Sequence, residues 1–292
     1  MTTTARLQHA QSQLDASQID ELVKGISIPP RPSLLDALQR EITLDDPDPR
    51  KIAQIVSRDV AMTAAVLRAV NSPFYGLSRQ VESLPQALSV LGLRQVSTLV
   101  LGLVLRKALS DRGQNLTRFW DVSAKRSYAM VQLARGLGGV ELDMAQTFGL
   151  FCDVGIPLLM QRFPDYTETL KRANSAPDRS FCEVEHAAHD TDHALVGALM
   201  GRTWGLSQAV CLSIRLHHDY AVFRDPGAAE GVCRLIAMGL VAERAIQLHA
   251  GMNASVEWDK GGEFAVGTLM LSDADVDDWM DDLLSGFAAG IA

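Results

Sequence analysis

Thr147–Met160, TFGLFCDVGIPLLM, is the stretch that decides the fold. Phe148, Leu150, Phe151, Val154, Ile156, Leu158 and Leu159 leave it no polar face, and a segment apolar all round is buried. Asp153 stands in its middle. A carboxylate there is costly unless it is paired, hydrogen-bonded or bound to a metal. Asp153 therefore marks either a working site or the remnant of one. Pro157 offers no N–H to the Asp153 carbonyl, so the helix is expected to bend or restart there.

Outside this stretch the composition is that of an ordinary globular chain: 292 residues, 47% hydrophobic, 21% charged, net charge −8. The acidic balance argues against a general nucleic-acid or anionic-membrane binder. Cys152, Cys182, Cys211 and Cys233 form no CxxC pair and sit in apolar, helix-like surroundings, which reads as buried free thiols in a reducing cytoplasm. The N-terminus lacks the apolar core of a signal peptide. The longest apolar run, Val96–Leu105, falls short of the ~20 residues a spanning helix needs.

Taken in order, residues 1–16 are polar and read as a frayed helix. Ser17 caps a short helix ending at Gly25, and the prolines of Ile28–Pro32 impose extended chain. Helices follow over Ser33–Ile42, from the Asp48-Pro49 cap, and over Val60–Val70 capped by Asp59. Asn71-Ser72-Pro73 stops the last of these, with Asn71 suited to a left-handed turn. Ser83 and Gln86 form a capping box, Gly92 ends that helix, and Leu93–Leu109 is amphipathic. Its Leu and Val face argues against a DNA-reading helix and favours a core helix pair. Asp111–Gln114 reads as a joint. Beyond it come helices over Phe119–Leu137, the Asp153 stretch, Tyr166–Ala173 on the surface, Ser180–His189, Asp192–Trp204 capped by Thr191, and Ser207–His218. Gly231–Leu248 is a further helix, Asn253–Glu263 a loop, and Asp273–Leu284 an acidic helix with Trp279, Leu283 and Leu284 set to pack. No β alternation is present, so the class is all-α.

Three groups could carry chemistry: Cys152-Asp153; His186, His189 and His193; and His217-His218-Asp219. His193 shares a face with Gly197, Met200 and Trp204, and His217 with Val210 and Ile214. Both therefore point inward and could meet Asp153. Histidine nitrogen with carboxylate oxygen is a divalent-metal donor set, while a histidine on an apolar face also serves as a hydrogen-bonded core residue. His186 and His189 read as solvated, and Asp192 as a first-turn acid favoured by the helix dipole. No nucleophile triad and no phosphate-cradling glycine loop is present; Gly136, Gly138 and Gly139 end a helix instead of following a strand.

Asp59–Gly76, DVAMTAAVLRAVNSPFYG, resembles the HDOD domain, an offshoot of the HD metal phosphohydrolases. Val81–Leu93, Trp120–Ser123, Gly149–Gly155, His193–Gly197, Trp204-Gly-Leu and His217-His218 match in the same order, from about residue 25 to 218. The resemblance implies a multi-helical, two-lobed fold. An N-terminal lobe would span 17–110, and an HD-like lobe 115–292. HD enzymes hold metal with an early His, a His-Asp pair and a later Asp. In this chain Val122, Cys152 and Met238 stand at three of those positions, and Asp153 alone matches. His193, His217 and His218 match positions that some HD enzymes use for a second metal, so the resemblance also admits a residual pocket with Asp153.

What the resemblance implies is a non-catalytic regulator in bacterial signal transduction, cytoplasmic, with no cofactor and no expected metal. It would bind other signalling proteins, such as receiver, cyclic-dinucleotide or kinase modules, with Asn71, Ser72, Phe74 and Tyr75 as the candidate partner surface. Nucleic acid and membrane are not expected partners, and no oligomeric state is implied. The rival readings are a metal-dependent phosphohydrolase of a nucleotide or cyclic dinucleotide, and a small-molecule sensor built on the degenerate pocket.

Overall fold

Capping chemistry sets the start of several helices, most of them where the sequence places the cap. The computed structural model describes residues 3–15, 25–110 and 115–290. After α1 (Thr3–Asp15) and the extended prolines come α2 (Ser33–Ile42), α3 (Pro49–Ser57) and α4 (Val60–Val70). Asp48 accepts from the Arg50 N–H at 2.8 Å and Asp59 from that of Met62 at 2.9 Å, each satisfying an N–H the helix leaves open. A short 3₁₀ turn (Pro73–Tyr75) leads to α5 (Leu84–Ser110), which kinks at Gly92, φ 80°. The short helix expected from Ser17 and the joint at Asp111–Gln114 lie outside the described residues.

The second half contains α6 (Thr117–Leu137), α7 (Leu142–Phe151), α8 (Gly155–Arg162), α9 (Tyr166–Asn174), α10 (Phe181–His189), α11 (His193–Thr203) and α12 (Gln208–Leu216). A 3₁₀ turn (Tyr220–Arg224), α13 (Glu230–His249), α14 (Val256–Leu269) and α15 (Asp273–Ala288) complete it. Among the described residues there is no strand. One apolar core runs through both sets of helices, from Ile52 and Val66 to Phe148, Leu199 and Met238. The two sets are also joined by the Trp204 indole N–H, which donates to the Pro29 carbonyl at 2.9 Å, and by Phe74 packed edge-on against Tyr128.

The 147–160 stretch breaks as its proline requires. Helix α7 stops at Phe151, Cys152–Val154 form turns, and α8 restarts at Gly155, where the Ile156 N–H takes the Asp153 carbonyl at 2.9 Å. By length and composition alone, 84–109 and 142–162 could each cross a membrane. Each is interrupted, the first at Gly92 and the second at Cys152–Val154, and both contribute to the core.

Several expectations are corrected. The polar N-terminal helix is not a bare extension: Ala10 and Leu14 are buried, and Gln13 accepts from Arg215 at 2.9 Å. Asn71 is not left-handed (φ −85°); its amide holds the backbone N–H and carbonyl of Val81 at 2.7 and 2.8 Å, and Gly76 takes the left-handed turn. Asn253–Glu263 is not a loop. Ser255 caps α14, and Gly261 lets it lie against Tyr220 and Leu240, which a Cβ would meet at 2.8 Å. Asp192, and not Thr191, caps α11, accepting from the Leu195 N–H at 2.8 Å.

Candidate functional site

Two glycines bring the site together. A Cβ on Gly149 would lie 2.7 Å from the Ser127 Cα, and one on Gly155 would lie 2.1 Å from the His193 carbonyl oxygen. Their absence of side chains lets α7 close on α6 and α8 on α11. Asp153, in the turn between, is thereby set against Arg126 from α6 and His193 from α11.

The Asp153 carboxylate faces two ways. Its Oδ2 pairs with Arg126 Nη2 at 2.8 Å, and the same nitrogen pairs with Glu243 Oε2 at 2.6 Å. Glu243 in turn accepts from Gln247 at 3.1 Å. Burial works against the Arg126 charge, but Asp153 and then Glu243 outweigh it, so the guanidinium is held firmly protonated. Burial would likewise raise Asp153, yet Arg126 first, then His217 and His193, hold it well below the carboxylate range.

On the other side, Asp153 Oδ1 lies 3.6 Å from His193 Nε2 and 3.5 Å from His217 Nε2, and the two nitrogens are 3.2 Å apart. Both rings are fixed from behind. His217 Nδ1 lies 2.7 Å from the Ile214 carbonyl, which can only accept. His193 Nδ1 lies 2.7 Å from Glu185, a fully buried carboxylate that also accepts from the Tyr166 hydroxyl and the His193 backbone N–H. Each Nδ1 thus carries a proton, and the two Nε2 atoms face one another with room for a single further proton between them. Burial would lower the pKa of both. Glu185 and Asp153 outweigh it for His193, and Cys152 and Asp153 for His217, so the pair keeps that proton above the ordinary histidine range.

His218 completes the group. Its Nδ1 lies 2.6 Å from Glu257, which also accepts from Tyr220 at 2.6 Å and Lys260 at 2.9 Å. Burial and then His217 lower the His218 pKa, leaving it neutral with Nε2 as a lone pair. One donor atom from each of Asp153, His193, His217 and His218 lies within 4.8 Å of the others. Tetrahedral bonds of about 2.0–2.2 Å put donor atoms about 3.3–3.6 Å apart, close to the triangle found here. Such a set, with each histidine oriented through its other nitrogen by a carboxylate or carbonyl, suits a divalent cation.

The sequence-derived candidates divide clearly. Asp153, His193, His217 and His218 converge. Val122 and Met238 pack in the apolar core, and Cys152 is a buried free thiol. His189 is not solvated: it is buried, bonds Thr169 at 2.9 Å and stacks on Phe163, while His186 stays exposed. Of the motif at 71–76, Asn71 ties the loop, Ser72 donates to the Ala69 carbonyl at 2.6 Å, and Phe74 contacts both Tyr75 and Tyr128. Arg126, Glu185, Glu243 and Glu257 escaped the sequence reading. The signal was there for two of them: Arg126 falls on the buried Ser123–Met130 face, and Glu185 lies between Phe181 and His189 at fourfold spacing.

The HDOD domain family model matches residues 28–220. An uncharacterized protein of Treponema pallidum (strain Nichols) is 25% identical over 194 residues, which is 66% of this chain and 38% of that protein; the chain thus spans well under half of that relative. An HDOD domain protein of unknown function from Geobacter sulfurreducens superposes with a TM-score of 0.70 at 19% identity, covering 96% of each chain. A Marinobacter aquaeolei VT8 protein provisionally assigned to signal transduction superposes at 0.69 and 21% identity, over 99% of this chain and 68% of that one. These likenesses establish the fold.

Proposed function

Since the chain belongs to the HDOD domain family, we propose that it is a regulatory protein of signal transduction that acts by binding another protein and turns over no substrate. The signalling role follows the provisional assignment of the Marinobacter relative. One observation carries the non-catalytic part: the carboxylate that the HD resemblance makes a metal ligand is held on one oxygen by Arg126, itself buried and tied to Glu243. Metal-assisted hydrolysis needs an ion with an open position for water. Four mutually close donors, with the guanidinium on the flank, favour a closed centre instead. The partner would be a receiver, cyclic-dinucleotide or kinase module in the cytoplasm. The packing of Phe74 against Tyr128 supports a role for that turn in joining the two helix sets rather than in contacting the partner.

The test is turnover. Protein loaded in turn with manganese, iron and zinc is expected to leave phosphomonoesters, phosphodiesters and cyclic dinucleotides intact. Purified receiver, cyclic-dinucleotide and kinase modules are screened alongside, and one is expected to bind at fixed stoichiometry. Hydrolysis that disappears in Asp153→Asn contradicts the proposal. That outcome would favour the second reading, a metal-dependent phosphohydrolase, which the triangle of His193, His217 and Asp153 donors motivates. A nucleotide that raises the Tm without being cleaved would favour a sensor.

A further inference from the structure

Two cation positions share the Asp153 carboxylate. At one, two carboxylate oxygens from different helices converge on a single nitrogen: Asp153 Oδ2 at 2.8 Å and Glu243 Oε2 at 2.6 Å from Arg126 Nη2. At the other, Asp153 Oδ1 and two imidazole nitrogens form a triangle of 3.2, 3.5 and 3.6 Å with no lysine or arginine among them, only the proton the two rings share. We infer that Arg126 is a resident cation standing in for one ion, so that the centre takes one divalent ion, on Asp153, His193, His217 and His218, and not two.

The argument is one of charge and donor type. Asp153 and Glu243 share one guanidinium that cannot be deprotonated in a protein. A second metal at that position would have to expel a buried arginine from two charge-assisted bonds. The histidine side is different. Its two facing nitrogens share only an exchangeable proton, which a metal can displace. Three nitrogens and one oxygen suit a zinc-class ion better than magnesium or calcium, which take oxygen ligands. The inference is independent of the non-catalytic proposal: turnover would overturn that proposal and leave the ion count standing.

The experiment counts ions by elemental mass spectrometry after equilibrium dialysis against zinc alone, with folding checked by circular dichroism. One zinc per wild-type chain is expected, none in the folded double variant His193→Gln/His217→Gln, and one in Arg126→Lys, where the cation is kept. Arg126→Gln frees Asp153 and Glu243 and is expected to bind two, with a larger zinc-induced rise in Tm than the wild type. Arg126→Gln/Glu243→Gln is expected to return to one. Zero or two ions in the wild type, or one in folded Arg126→Gln, would overturn the inference. Should Arg126→Gln fail to fold, the wild-type count still decides.

Discussion

The two oxygens of Asp153 face opposite kinds of surroundings. Oδ2 meets a permanent charge on a long side chain, anchored by a second carboxylate from α13. Oδ1 meets two imidazoles whose outer nitrogens are spoken for and whose inner ones face each other. The first side is closed by covalent chain; the second is closed by a proton that can be exchanged. One buried carboxylate can therefore be locked and available at once, depending on which flank is considered.

The strongest way to break this comparison is to remove the locked side. Arg126→Gln leaves two largely buried carboxylates without their cation, and uncompensated buried charge costs about 3–5 kcal/mol. Urea unfolding in chelator should show a loss of that size, and zinc should recover part of it. A next step separates the flanks mechanically. Gly155→Ala drives a methyl towards the His193 carbonyl and should destabilise by about 1–3 kcal/mol, as overpacking does. Zinc affinity should fall in the same variant, because Asp153 moves away from His193.

Finer tests address the available side alone. Glu185→Gln removes the charge behind His193 and should weaken zinc binding about 10–100-fold, the usual effect of losing a partner that orients a ligand. Glu257→Gln, behind the fourth donor only, should cost less than Glu185→Gln in the same calorimetric titration. Asn71→Ala serves as the contrast. It loses the clamp on Val81 and should cost roughly 1–2 kcal/mol of stability, while leaving zinc affinity unchanged.

Much of this architecture could be read from the chain, because caps and prolines act locally. Asp48, Asp59, Ser180 and Ser207 begin helices where their side chains can take a free N–H, and Pro157 interrupts where it must. The approach of Asp153 to the histidines was readable from helical faces. Its partners on the other flank were harder to read: Arg126 shows only as a charge on a buried helix face, and nothing local distinguishes Glu243 from an ordinary helix charge until α6 and α13 are packed together. Helix α14 was missed for a related reason. Gly261 and Gly262 read as loop residues, yet Gly261 is what lets the helix approach Tyr220 and Leu240, and Gly262 makes room for the Trp258 ring of the same helix. His189 likewise gains its burial from α9, through Thr169.

The most direct measurement is a crystal structure of the wild-type protein grown with zinc, with anomalous data collected at the zinc edge. The account predicts one anomalous peak, about 2.0–2.2 Å from His193 Nε2, His217 Nε2 and the Asp153 carboxylate, with Arg126 still bridging Asp153 and Glu243. Two peaks, or one peak between Asp153 and Glu243 with Arg126 displaced, would contradict it.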